Sequence, residues 1–241
     1  MEQTSLIGEE PAGPVDTWVA AQADLDAQGY AVLPGLLSPA QCQSFAARYE
    51  QEHGYRSRIV MARHHFGRGE YKYFSYPLPE LLDDLRHRLY RELVPIANRW
   101  QAQLGLPAKN YPAELDAFLA QCHGAGQTRP TPLILSYGPD DYNCLHQDLY
   151  GDLVFPLQAA ILLSQPGVDF RGGEFVMTET ASDGQTPHVV PMRQGDAVVF
   201  AVNARPAPGK RGVRRVNLRH GVSRIRSGYR HTLGVIFHDA R

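Results

Sequence analysis

The chain has little cysteine: Cys42, Cys122 and Cys144 stand far apart and form neither a CxxC pair nor an even disulfide framework. A reducing, cytoplasmic setting is the simplest expectation. No apolar run approaches the roughly 20 residues needed to cross a bilayer, so no membrane partner is expected. The opening "MEQTSLIGEEPAGP" lacks the basic and apolar segments of a secretory signal, and residues 1–14 are expected to be mobile. Net charge is also missing: it is −1 over 241 residues, which by itself calls for neither a polyanion nor a membrane surface. Internal repeats and low-complexity tracts are absent, and nothing in the sequence sets the oligomeric state.

What is present suits one domain spanning 1–241, since all-β sandwiches and barrels often reach this length. Residues 15–130 read mostly as helical support. "DTWVAAQADLDAQGY" has helical periodicity, and "YAVLPGLL" reads as a short strand. Ser38-Pro39 offers an N-cap followed by proline at the first helical position. Leu81, Leu82, Leu85, Leu89 and Leu93 recur at three- and four-residue steps in the longest helix candidate, and "PAELDAFLAQCHG" predicts a shorter one. From 131 to 239 the pattern changes to short β-type runs bounded by Gly, Pro and Asp, which predicts a sandwich or jelly roll. "NARPAPGKRG" (203–212) reads as a Pro/Gly-rich loop, mobile or functional.

His146 and Asp148 in "NCLHQDLYGD" stand two apart, so an extended backbone delivers both side chains to one side, with Gln147 facing away. With 10 His and 14 Asp, about 0.6 His-x-Asp pairs are expected by chance, so context decides. A third ligand should come from a later strand, and His220 is the best placed, with His188, His231 and His238 as competitors. Two histidines and one carboxylate make the facial triad that leaves open positions on non-haem Fe(II) for oxygen and a chelating co-substrate. In "GYRHTLGVIFHD", Arg230, Thr232 and Gly234 share one strand face. A cation flanked by apolar strand residues needs an anionic partner, and a carboxylate suits it. Tyr137 is placed to add a phenol hydrogen bond. Cys144 falls on the His146 side by alternation, where packing or oxidation by off-cycle chemistry are its two readings.

His146-Gln147-Asp148, "RGGEF" (171–175), "GDAVVF" (195–200), His220 and Arg230 in this order resemble the 2-oxoglutarate- and Fe(II)-dependent dioxygenase superfamily over about residues 131–239. The resemblance implies a double-stranded β-helix buttressed by N-terminal helices, an α+β chain that is mainly β. It also implies that His146, Asp148 and His220 bind iron, and that Arg230, helped by Tyr137 and Thr232, binds the far carboxylate of 2-oxoglutarate. The expected reaction consumes O2, converts 2-oxoglutarate to succinate and CO2, and hydroxylates a substrate; an N-methyl group so hydroxylated leaves as formaldehyde. Asp148 stands where halogenating relatives carry a small residue, which favours hydroxylation. The segments "RHHFGRGEYKYFSYPLPELL" and "SRIRSGYRHTLGVIFHDA" are similar to a bacterial branch described as probable oxidative dealkylases of damaged nucleic acid. The ten-residue step from His220 to Arg230 is more like the prolyl-hydroxylase type.

Two segments bear on the substrate. Between Asn203 and His231, nine of the chain's 24 basic residues fall in 29 positions without an acidic residue, among them Arg214 and Arg215. They read either as a nucleic-acid surface or as a solvated loop that draws in the anionic co-substrate. "RHHFGRGEYKYFSY" mixes Arg63 and Arg68 with Tyr71 and Tyr73, as single-strand binding surfaces do, or else forms an edge strand covering the core. A modified nucleic acid or nucleobase is the preferred substrate class. The alternatives are hydroxylation of an amino acid, protein side chain or small metabolite, and a non-catalytic jelly roll that senses 2-oxoglutarate.

Overall fold

The computed structural model describes residues 14–106, 110–181, 184–210 and 212–241. Residues 1–13, most of the segment expected to be mobile, lie outside them, and Pro14 already opens a helix. After α1 (Pro14–Gln28) and β1 (Tyr30–Leu33), α2 (Pro39–Arg48) starts at a capping box. The Ser38 hydroxyl accepts from the Gln41 backbone N–H, and the Gln41 side chain accepts from the Ser38 N–H at 2.9 Å. Three strands follow, β2 (Tyr55–Val60), β3 (Gly67–Arg68) and β4 (Glu70–Phe74). Then come α3 (Glu80–Gln103) and α4 (Leu115–Gly124). One side of α3 buries Leu82, Leu85, Leu89, Leu93, Ile96 and Trp100, each large side chain contributing about 1.5–3 kcal/mol on burial.

The second half is almost wholly extended. It runs through β5 (Leu133–Tyr137), β6 (Tyr142–His146), β7 (Leu157–Leu162), β8 (Phe170–Gly172), β9 (Phe175–Ala181) and β10 (Gly184–Val190). β11 (Ala197–Ala201), β12 (Ala204–Gly209), β13 (Gly212–Val222), β14 (Ile225–Gly228) and β15 (Arg230–Val235) complete it. One antiparallel sheet has the order β1-β11-β7-β15-β5-β4-β2. The other has the order β10-β9-β13-β6-β3, with β12 also paired to β13, and β14-β8 is a separate ribbon. Phe175, Met177 and Leu218 from the second sheet meet Leu157, Phe200 and Leu233 from the first in one core, the jelly roll expected from the pattern of short strands.

Two expectations are refined. Besides its helices and the expected β1, the described part of residues 15–130 supplies β2, β3 and β4, and β4 and β2 extend the first sheet beyond β5, so this half builds part of the barrel wall. The stretch 203–212, expected to be a loop, contains β12, paired from Ala204↔Asn217 to Gly209↔Gly212. Pro206 and Pro208 are tolerated because β12 pairs with β13 alone, so a missing N–H can face away from the ladder. The helical layer is tied to the barrel by α3: Arg86, fully buried, pairs with Asp239 at 2.9 Å and donates to the Ile236 carbonyl at 2.8 Å.

Candidate metal centre and co-substrate pocket

β6 and β13 place the first cluster. His220 and His146 are register partners across this ladder, and their ring centroids lie 4.3 Å apart. The ladder can close this tightly because residue 221 is glycine: a Cβ there would stand 2.6 Å from the Asn143 carbonyl oxygen. Asp148 follows just beyond β6, with Oδ1 3.4 Å from His146 Nε2 and Oδ2 3.4 Å from His220 Nε2. One ligand atom from each of the three residues falls within 4.8 Å of the others.

The donor set suits a divalent metal. His146 Nδ1 donates to the Cys144 carbonyl at 2.7 Å, which leaves the Nε2 lone pair directed at the cluster. His220 is held by rings instead: Phe175 lies nearly parallel at 5.9 Å and Phe200 is tilted at 4.5 Å, while its buried Nδ1 has no partner. Burial works against an ionised Asp148, but the two imidazoles hold its carboxyl well below the usual range. Burial likewise opposes the charged form of His146, yet the Asp148 carboxylate and the Cys144 carbonyl together raise its pKa. For His220 burial prevails and the pKa falls.

Three residues not anticipated from the sequence complete the surroundings of the cluster. The Tyr150 phenol donates to Asp148 Oδ1 and the Gln158 amide to Asp148 Oδ2, both at 2.7 Å. Gln147 does not simply face away: its amide donates to Asn203 Oδ1 and to the Leu218 carbonyl, each at 2.8 Å, and so pins the His-x-Asp segment against β13. Tyr150 continues the two-residue step of His146 and Asp148, and Gln158 is the lone polar residue in the apolar run "LQAAIL". Those were the available signals.

The cluster opens into a cavity of about 270 Å³ that also contains Arg230, Thr232, Tyr137 and Asn143. Arg230 and Tyr137 are cross-strand partners of β15 and β5, and the shared face of Arg230, Thr232 and Gly234 lines this cavity. Arg230 is only 1% exposed; its Nη1 donates to the Thr232 hydroxyl, its Nε has no partner, and no ion pair to it is found among the described residues. Burial depresses its pKa to about 10, still protonated at neutral pH. A buried guanidinium without a carboxylate partner is costly unless an anion is supplied. The "GG" of "RGGEF" serves this side chain: Gly173 has φ of +66°, and a Cβ there would lie 2.3 Å from Ile225 Cδ1 and 2.9 Å from Arg230 Cδ.

The competing histidines lie elsewhere. His188 packs edge-on to Tyr30, His231 sits beside Ser136 and Tyr49, and His238 accepts from the Phe155 N–H. Cys144 is exposed and does not line the cavity. Tyr71 and Phe66 line it, and Tyr73 is buried beneath Tyr71. Arg63 is exposed in a 3-10 turn, and Arg68, exposed on β3, lies 3.7 Å from Asp141. Arg214 and Arg215 are not brought to the cluster: Arg215 is five residues from His220 on β13, roughly 17 Å at about 3.3 Å per residue, and the two arginines point to opposite sheet faces.

The matching family model covers residues 69–240 and is described as an oxygenase catalysing oxidative methylation of damaged DNA. The chain belongs to the Oxygenase-NA family. It is an oxygenase, and His146, Asp148 and His220 make a cluster that could hold a metal ion. The chain is similar to two uncharacterized proteins of Mycobacterium tuberculosis, Rv2227 of strain ATCC 25618 / H37Rv and MT2286 of strain CDC 1551 / Oshkosh. Each is 48% identical over 168 residues, 69% of this chain and 72% of theirs. In fold the Oxygenase-NA chain is similar to a prolyl-4-hydroxylase of Pseudomonas putida, at TM-score 0.52, 18% identity, and coverage of 93% of this chain and 99% of that one. It is likewise similar to the non-haem α-ketoglutarate-dependent epimerase SnoN of nogalamycin biosynthesis, at TM-score 0.50, 14% identity, and coverage of 91% and 81%. No helix among the described residues is long and apolar enough to cross a membrane.

Proposed function

We propose that the chain oxidatively removes alkyl groups from damaged bases in nucleic acid, with Fe(II) on His146, Asp148 and His220 and the far carboxylate of 2-oxoglutarate on Arg230. The observation that carries this reading is one cavity holding both the His-Asp-His cluster and a buried arginine short of an anion. Iron bound there supplies oxidation of an unactivated C–H bond, which no side chain can perform alone. The residues do the rest. Arg230 and Thr232 orient the co-substrate, Tyr137 adds its phenol, and the apolar walls exclude water. The family description supports nucleic acid as substrate. Phe66 and Tyr71 in the cavity wall offer aromatic faces to a base. A reducing, cytoplasmic setting goes with this reading, since all three cysteines are free.

A second reading, hydroxylation of an amino acid, protein side chain or small metabolite, is favoured by the charges at the rim. Arg68 has Asp141 as a neighbour and Arg224 has Asp140 at 3.6 Å, so these two cations beside β6 are matched by acids. A turnover screen decides between them. Succinate and formaldehyde should form from N-methylated single-stranded oligonucleotides, and binding should weaken with salt and with Arg63→Ala combined with Arg68→Ala. Turnover confined to methylated nucleosides, amino acids or peptides, with no oligonucleotide binding at low salt, would favour the second reading.

A further inference from the structure

Asp148 is gripped on both carboxylate oxygens. Tyr150 donates to its Oδ1 at 2.7 Å. Behind this bond, Tyr150 and Tyr71 both pack against the buried cluster of Tyr73, Leu133 and Ile236. Tyr71 stands in the cavity wall, Tyr73 is buried at 7% exposure, and Tyr150 lines the cavity beside the His-Asp-His cluster. Tyr71 and Tyr73 meet edge to face at 5.3 Å, and the Arg56 guanidinium covers the Tyr73 ring at 4.1 Å. Neither ring can turn without losing these contacts. On its other side Asp148 receives Gln158, itself 4% exposed.

We infer that Tyr150 and Gln158 are positioning residues that together hold the Asp148 carboxylate in one rotamer for metal capture. This rests on the metal-site reading above. A carboxylate gripped on both oxygens cannot swing between one-oxygen and two-oxygen contact, so the metal meets a fixed donor with little ordering left to do. The segment "KYFSY", read from the sequence as substrate-contacting or core-covering, has a third use: Tyr73 is buried in the cluster against which Tyr150 packs.

The test uses the full-length protein and Co(II), whose visible absorption reports its ligand geometry. Wild type should bind Co(II) with a defined band. Tyr150→Phe should weaken binding by about 10–100-fold and shift the band, while circular dichroism and Tm show a folded chain. Gln158→Met, which spares the Tyr150–Asp148 bond and frees Asp148 Oδ2, should weaken binding by about tenfold. A folded Tyr150→Phe with wild-type affinity and band would overturn the inference. Should that variant not fold, Gln158→Met decides, and unchanged Co(II) binding there overturns it as well. Wild type that binds no Co(II) would instead refute the metal-site reading beneath it.

Discussion

At the scale of single residues, Arg230 has the sharpest division between its role and its effect on stability. If it holds a 2-oxoglutarate carboxylate, Arg230→Met removes a charge-assisted contact of about 1.5–3 kcal/mol, which raises the co-substrate KM by about ten- to a hundredfold. The same change removes a buried, carboxylate-free cation, so Tm should hold or rise. Steady-state kinetics and a thermal melt on one preparation check both; a lowered Tm with unchanged KM would make Arg230 structural. His146, Asp148 and Arg230 were legible because strand periodicity and the cost of burying a charge act on neighbours in sequence. Gln158 was not: its value comes from Asp148, ten positions away, and a buried glutamine in an apolar strand has no local meaning. Gln147 was misjudged for a related reason, since alternation says which way a side chain leaves the strand but not what backbone waits there.

At the scale of elements, strands carry ligands and glycines set how closely strands approach. Gly173→Ala forces a Cβ into Ile225 and Arg230 at a positive φ, and should cost about 1–3 kcal/mol of stability while raising the co-substrate KM. Urea titration and kinetics would show it; a stable variant with unchanged KM would separate "RGGEF" from the pocket. The helices were legible in their caps and leucine spacing because those signals are local. β12 was hidden by Pro206 and Pro208, which read as loop unless the strand is known to sit on an edge. β3 and β4 were obscured because their cross-strand partners, β6 and β5, lie 60 or more residues away, and β2 joins the sheet only through β4. The basic stretch was likewise read as one surface, whereas β13 divides Arg214 and Arg215 between two faces and carries both away from the cluster.

Over the whole molecule, stability and chemistry share titrating groups. His238 is buried in the barrel wall as a neutral acceptor for the Phe155 N–H, and burial followed by the nearby Arg86 charge lowers its pKa from 6.5 to about 4. The unfolded chain therefore takes up a proton at this position that the folded chain refuses. Stability is full above about pH 6.5, falls with pH through the window down to about 4, and levels off below that for this group. His238→Gln should flatten that slope in urea denaturation series between pH 7 and 4; an unchanged slope would show that His238 does not govern it.

The central claim is that His146, Asp148 and His220, with Arg230 behind them, make a working iron and 2-oxoglutarate site. It is tested most directly by measuring succinate by NMR after anaerobic loading with Fe(II), addition of 2-oxoglutarate and an N-methylated oligonucleotide, and admission of O2. The expected result is succinate formed in step with formaldehyde, dependent on iron and abolished by His146→Ala. Succinate at wild-type levels from His146→Ala, or none from the iron-loaded wild type even without substrate coupling, would contradict it.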